Sequence, residues 1–272
     1  MYIDTHCHLD AAEFAADRDA VAARARAAGV EALVIPAVER ANFPVVLETC
    51  RRYPGCHAAL GIHPMYVERA QPDDLQALRA AVAEHKPVAI GEIGLDFFVA
   101  GYDREKQEFY FAEQLKIARD FNLPVLLHLR RAQDTVLKHL RRADLAGGIA
   151  HAFNGSRQQA EMFIKLGFKL GFGGAMTWPC AIHLRELAAT LPLDAIVLET
   201  DAPDIPPEFV GKEGRNSPEF LPRIAQVLAD LRHMPLEEIA AATRANSWQV
   251  LPGLDMVVPS PPAPLPPAGE GS

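Results

Sequence analysis

Eight times along this chain, a short run of β-branched or apolar residues gives way to a longer stretch whose apolar side chains recur at helical spacing. That rhythm constrains the fold more than any other feature. The short runs lie near Tyr2–Asp4, Ala32–Pro36, Ala58–Ile62, Val88–Glu92, Val125–Leu127, Gly148–Ala150, Lys169–Phe172 and Ile196–Glu199. They have strand length, and their unbroken apolarity suits strands covered on both faces. The longer stretches run over Asp17–Ala28, Phe43–Tyr53, Asp73–Glu84, Arg104–Phe121, Thr135–Leu140, Arg157–Leu166 and Ala181–Thr190, with two more at Pro218–Leu231 and Leu236–Val250. Eight strand–helix units in about 250 residues predict an α/β fold, a (β/α)8 TIM barrel. A doubly wound sheet has a similar element count and is the rival.

Local chemistry agrees with these boundaries. Gly29 follows an Ala- and Arg-rich helix where a left-handed residue is wanted, and Pro54-Gly55 ends the next one. Pro72 opens a helix in its first turn, and Ser156 and Ser217 stand at N-cap positions. In the fourth helix Phe109, Phe111, Leu115, Ile117, Ala118 and Phe121 predict one buried face. The barrel is expected over residues 1–253. The Pro-rich, low-complexity segment 254–272 is expected to be a disordered or polyproline-like tail.

Composition excludes several classes. No apolar run approaches the roughly 18 residues that cross a bilayer, and the N-terminus lacks a basic region followed by an apolar one, so the expectation is cytoplasmic and away from membranes. Four cysteines without a Cys-x-x-Cys pair fit a reduced protein, with Cys7 as a small buried filler. A net charge of −8 argues against a broad grip on duplex nucleic acid but permits a short anionic substrate. No obligate protein partner is evident.

The chemistry gathers at strand ends. His6 and His8 follow the first run, two residues apart and so on one face of an extended chain. Imidazole is the commonest protein ligand for metal ions. Glu92 closes the fourth run, His128 the fifth, His151 the sixth, and Asp201 the eighth. In a barrel these C-terminal strand ends form one rim, where active sites of the fold lie. A buried carboxylate such as Glu92 also needs a partner. His85, His139 and His183 fall in helical stretches without ligand companions and are expected to be ordinary surface or packing residues.

The motifs Asp-Thr-His-Cys-His-Leu-Asp at residues 4–10, Leu-Gly-Ile-His-Pro at 60–64, Gly-Glu-Ile-Gly-Leu-Asp at 91–96, His-Leu-Arg at 128–130, His-Ala-Phe-Asn-Gly at 151–155 and Leu-Glu-Thr-Asp-Ala-Pro at 198–203 together resemble the TatD family of metal-dependent hydrolases. The likeness runs from residue 1 to about 252, and Asp-Ala-Pro-Asp with Gly-Arg-Asn-Ser-Pro-Glu resembles its YjjV-like branch. It implies a TIM barrel, two divalent ions and deoxyribonuclease activity. Carried over by position, it implies that His6, His8 and Asp201 hold one ion, that His128 and His151 hold the other, and that Glu92 bridges them. His63 and Arg130 would face the substrate. Ser217, in Asn216-Ser217-Pro218, stands where a charged residue is expected and bears on substrate detail.

Such a centre carries about one net positive charge once two divalent ions are set against Glu92, Asp201 and a hydroxide, which favours a phosphoester. Short or single-stranded DNA, or another small phosphoester, is the expected substrate, with Asp201 and Glu92 catalytic. Arg130 lies two residues from His128 and matches phosphate geometry. Lys212 and Arg215 lie in the long loop after the eighth strand, where phosphate often binds in this fold, and Trp178 is placed to stack a base. Four imidazoles suit Zn, Mn, Co or Ni better than Mg, although the family is described as magnesium-dependent. One alternative is an amidohydrolase-like lactonase or cyclic amidase, acting on carbon-centred esters that include aminoacyl-tRNA. The bridging position of those enzymes is often a carboxylated lysine and here is Glu92. The other alternative is a non-catalytic metal-binding protein.

Overall fold

All eight short runs are strands, and they pair in chain order. The computed structural model describes residues 1–256. The strands are β1 (Tyr2–Asp4), β2 (Val30–Pro36), β3 (Cys56–Leu60), β4 (Ala89–Asp96), β5 (Val125–Arg130), β6 (Gly148–Ala150), β7 (Phe168–Phe172) and β8 (Ile196–Leu198), in one parallel sheet ordered β1 to β8. Helices α1 (Arg18–Ala27), α2 (Phe43–Arg52), α3 (Pro72–His85), α4 (Arg104–Asp120), α5 (Gln133–Leu140), α6 (Arg157–Lys165), α7 (Ile182–Thr190) and α8 (Leu221–Arg232) form the crossovers, and α9 (Leu236–Val250) follows. This is the (β/α)8 barrel.

The seam between β8 and β1 is closed beyond the strands themselves. Thr5 donates through both its amide and its hydroxyl to the Leu198 carbonyl at 3.1 Å. Asp201 N–H donates to the His6 carbonyl and His8 N–H to the Ala202 carbonyl, each at 2.8 Å. The segments that carry His6, His8 and Asp201 therefore hold the barrel shut. Beneath them Asp4, fully buried, accepts from His6 N–H, Thr200 N–H and the Thr200 hydroxyl. Burial lifts its carboxyl to about 7 against those hydrogen bonds.

Two apolar layers follow from the strand alternation. Ile3, Val34, Ala59, Leu126, Ile149 and Val197 form a core cluster that also takes Val250, Leu251 and Leu254 from the C-terminal end. A larger cluster includes strand residues such as Leu127, Leu170 and Leu198 and helix residues such as Leu78, Phe163 and Leu228. Each buried Leu, Ile or Phe contributes about 1.5–3 kcal/mol against exposure. Leu126 precedes His128 by two residues, Ile149 precedes His151 by two, and Val197 precedes Glu199 by two. The interior stack thus aims the next shared-face residue at the rim.

Several expectations need adjustment. β4 and β5 are longer than predicted, so Glu92 and His128 lie within strands that run on to Asp96 and Arg130. On α4, Phe109 is 53% exposed, while Gln107 and Gln114 are buried. Gln107 exchanges two hydrogen bonds with the Asp96 backbone and Gln114 two with the Ile62 backbone. Their amides satisfy strand ends that have outrun the ladder. Ser156 caps α6 in a reciprocal box with Gln159. Ser217 makes no cap bond: a 3-10 turn, Pro218–Phe220, intervenes before α8. The turn Pro252–Met256 spans the expected end of the barrel, and Leu254 is buried there. The remainder of the Pro-rich segment, from residue 257, lies outside the described residues. No helix among the described residues is long and apolar enough to cross a membrane.

Candidate metal centre

The rim surrounds a cleft of about 1250 Å³. At its floor the Glu92 carboxylate divides its two oxygens. Oε2 is 3.1 Å from His6 Nε2 and 3.9 Å from His8 Nε2, while Oε1 is 3.0 Å from His128 Nδ1 and 3.5 Å from His63 Nε2. Asp201 Oδ1 faces three imidazoles, His6 and His8 at 3.7 Å and His151 at 3.5 Å. All six expected ligands and His63 therefore converge. Ligand atoms close enough to share an ion form three overlapping groups: His6, His8 and Asp201; His6, Glu92 and His151; and His63, Glu92 and His128. The overlap through His6 and Glu92 makes one continuous basin. It groups His151 with His6, their rings stacked at 3.6 Å, and His128 with His63, and Glu92 belongs to both groups.

Two further carboxylates complete the basin. His128 Nε2 is 3.1 Å from Asp96 Oδ2, and His151 Nδ1 is 3.0 Å from Glu199 Oε1. The His151–Glu199 contact is close but misaligned, so Nδ1 and Glu199 Oε2 are left without a hydrogen bond, as is His6 Nδ1. Glu199 Oε1 accepts instead from Ala152 N–H at 2.6 Å. Gly171 makes room for this carboxylate, because a Cβ there would lie 2.1 Å from Oε2. Both additions were readable by parity: Asp96 is four residues from Glu92, and Glu199 two from Asp201, each pair on one face of an extended chain.

Charge follows from this geometry. Burial opposes protonation of His128 and His151, but each ring sits between two carboxylates, and both are held above the usual imidazole range, His151 far above it. His6 is pushed down by burial and by its stacked partner His151. Glu92 and Asp201 stay below the usual carboxylate range despite burial, because imidazoles surround them. Asp96 falls to about 2 although burial opposes this, under its bond to His128 and two backbone N–H groups. His63 differs. Its Nδ1 accepts from Met65 N–H at 3.2 Å, so the neutral ring carries its proton on Nε2, and burial lowers its pKa to about 4. That nitrogen is a donor, not a lone pair for an ion.

The donor set fits divalent cations. Four carboxylates outnumber the two imidazoles held between carboxylate pairs, the Nε2 atoms of His6, His8 and His151 all face Asp201 Oδ1 at 3.5–3.7 Å, and imidazole with carboxylate suits first-row transition metals.

Other sequence expectations land elsewhere. Arg130 lines the cleft, exposed, with its guanidinium over Phe98. Arg215 grips Asp17 with two bonds, and Lys212 lies over Trp178, whose indole donates to the Pro206 carbonyl. None of these three lines the cleft. Ser217 is buried and away from it, so the departure at that position does not face a substrate. His183 does line the cleft, where its Nε2 donates to the Gly155 carbonyl at 2.9 Å. Cys7 is fully buried, as a filler should be.

Comparisons with known proteins bear on the family and the fold. The family model described as TatD related DNase matches residues 3–252. A protein of Escherichia coli (strain K12) named as the uncharacterized metal-dependent hydrolase YjjV is 44% identical over 251 residues, 91% of this chain and 96% of that protein. The 3'-5' ssDNA/RNA exonuclease TatD of Salmonella typhimurium is 35% identical over 255 residues, 90% of this chain and 96% of its own. The crystal structure of the E. coli YjjV protein matches with a TM-score of 0.88 and 43% identity, covering 92% of this chain and 98% of that one.

Proposed function

The chain belongs to the TatD family of metal-dependent hydrolases, and from that premise we propose a two-ion phosphodiesterase that cuts short or single-stranded nucleic acid. The observation that carries this reading is the divided Glu92 carboxylate, one oxygen toward His6 and His8 and the other toward His128. His6, His8 and Asp201 would hold one ion, His128 and His151 the second, and Glu92 both. When bound, such ions lower the pKa of a coordinated water toward about 7 and offset charge on phosphoryl oxygens.

The protein's own groups supply the rest. Asp201 orients the attacking water and takes its proton. His63 is neutral near pH 7 and donates from Nε2 to a phosphate oxygen, a hydrogen bond and not a charge. Arg130 provides the cation, with donors that match phosphate. Asp96 keeps His128 oriented from behind through its hydrogen bond, and Glu199 sets a negative charge 3.0 Å behind His151. A fixed carboxylate in the position of Glu92, with no lysine there, favours this centre over the lactonase alternative.

The test is metal analysis of the purified protein coupled to cleavage of single-stranded oligonucleotides, with a lactone panel beside them. Two ions per chain and oligonucleotide cleavage are expected; two ions with lactone turnover alone would discard the phosphodiesterase. Loading should also release protons. His128 and His151 are held above the ordinary imidazole range without an ion and must give up a ligand proton to bind one. About one proton or more per chain should appear at pH 7 in a weakly buffered indicator assay, and ion affinity should fall as pH is lowered. Loading with no proton release would mean that these two imidazoles are not ligands.

A further inference from the structure

The rim opposite the β8–β1 seam carries a second feature. Phe98, just beyond β4, is 45% exposed and lines the cleft. The guanidinium carbon of Arg130 lies 3.7 Å from its ring centroid, and that of Arg131 lies 4.7 Å away. Adjacent residues of an extended strand point to opposite faces. These two reach one ring because Arg131 takes the left-handed region, φ 55°, where a side chain other than glycine is uncommon. Asp96 fastens the group to the metal centre. Its Oδ1 accepts from Phe98 N–H and Val99 N–H while its Oδ2 faces His128.

The charge here is unanswered. Arg69 is paired with Glu39, and Arg215 with Asp17. Among the described residues no carboxylate oxygen lies within ion-pair distance of Arg130 or Arg131. Two adjacent exposed guanidiniums on an aromatic ring, with no protein carboxylate on them, leave their N–H groups open to an anion. Among the described residues, the other side of the cleft carries unpaired acids: Asp10 and Glu13 follow β1 and Asp204 follows β8.

We infer that Phe98, Arg130 and Arg131 form a platform for the nucleotide next to the scissile linkage, its base stacked on the ring-and-guanidinium layer and its phosphate on the guanidinium N–H groups. The inference rests on the phosphodiesterase reading and deepens it, since it names a base-bearing strand as the ligand. Bases stack on aromatic rings and on guanidinium planes alike, with little dependence on sequence. The acidic wall repels further phosphates, so the strand leaves over β4 and β5.

Fluorescence anisotropy on the ion-loaded protein tests this with a labelled, phosphorothioate-linked pentathymidylate and an abasic strand of equal length. The wild type should prefer the base-bearing strand by about tenfold, the worth of one stacked base. Phe98→Ala should remove that preference and leave abasic binding nearly as it was. The double change Arg130→Ala with Arg131→Ala should lower the slope of log affinity against log salt by about 0.7, the value for one single-strand phosphate. Equal binding of both strands by the wild type, no binding at all, or an equal loss for both strands in Phe98→Ala overturns the platform. A Phe98-dependent preference without cleavage of the ordinary oligonucleotide would retain the platform and discard the phosphodiesterase. Cleavage without the preference would do the reverse.

Discussion

Glu92→Gln should abolish activity and leave the protein unable to hold two ions. The substitution keeps shape and volume, so what it removes is the charge and one acceptor oxygen. Among the described residues Glu92 is the only carboxylate whose oxygens face both His6 and His128, at 3.1 and 3.0 Å. An amide presents an N–H group to one side, where an ion would meet a donor in place of a ligand. Loss of at least ~1,000-fold in kcat, about 4 kcal/mol of barrier, is expected. The fold should survive. His6 is already pushed down by burial and His151, and His128 keeps Asp96 and can shed its proton once Glu92 is neutral, so the ion-free variant should unfold within a few degrees of the wild type. The ion-dependent rise in Tm should disappear, since only the native state binds tightly. Elemental analysis that still finds two ions per chain would remove Glu92 from the bridging role.

Most of the barrel was legible because its strands are apolar on both faces and its helices are separated by Gly and Pro signals. Gly29 has φ 87°, as its place after α1 requires. The misses share a cause: they are polar residues doing backbone work. Gln107 and Gln114 break the apolar period of α4 yet are buried, because they bind strand ends at Asp96 and Ile62. A periodicity reading assigns that face to Phe109, which is exposed. Asp96 and Glu199 were visible only as acids in motifs, and their partners, His128 and His151, are 32 and 48 residues away in sequence. Strand spacing can show that two residues share a face, but not which ring a carboxylate will meet across the barrel. The same limit explains Trp178 and Phe98. Both are rim aromatics by position, and only tertiary contacts separate the one bonded to the Pro206 carbonyl from the one exposed in the cleft.

Asp201→Asn tests the remaining division of labour. Asp201 closes the seam through its backbone, which the substitution leaves intact, so thermal stability should change by only a few degrees. Its Oδ1 faces His6, His8 and His151, and the amide keeps a neutral oxygen there while losing both the charge and the ability to take a proton. A fall of ~100- to 10,000-fold in kcat is the range for removing a general base. Glu92 and His128 are untouched and His151 loses only one of its two carboxylate neighbours, so one ion should remain where Glu92→Gln loses both. Asp201 also helps hold the proton on His151, so loading the variant should release fewer protons than loading the wild type. These readouts separate two jobs. If both ions stay and only turnover is lost, Asp201 acts on the water and not as a ligand; if one ion goes, it is a ligand as well. Near-normal turnover with the amide in place would end both assignments, and the attacking water would need another base in the cleft.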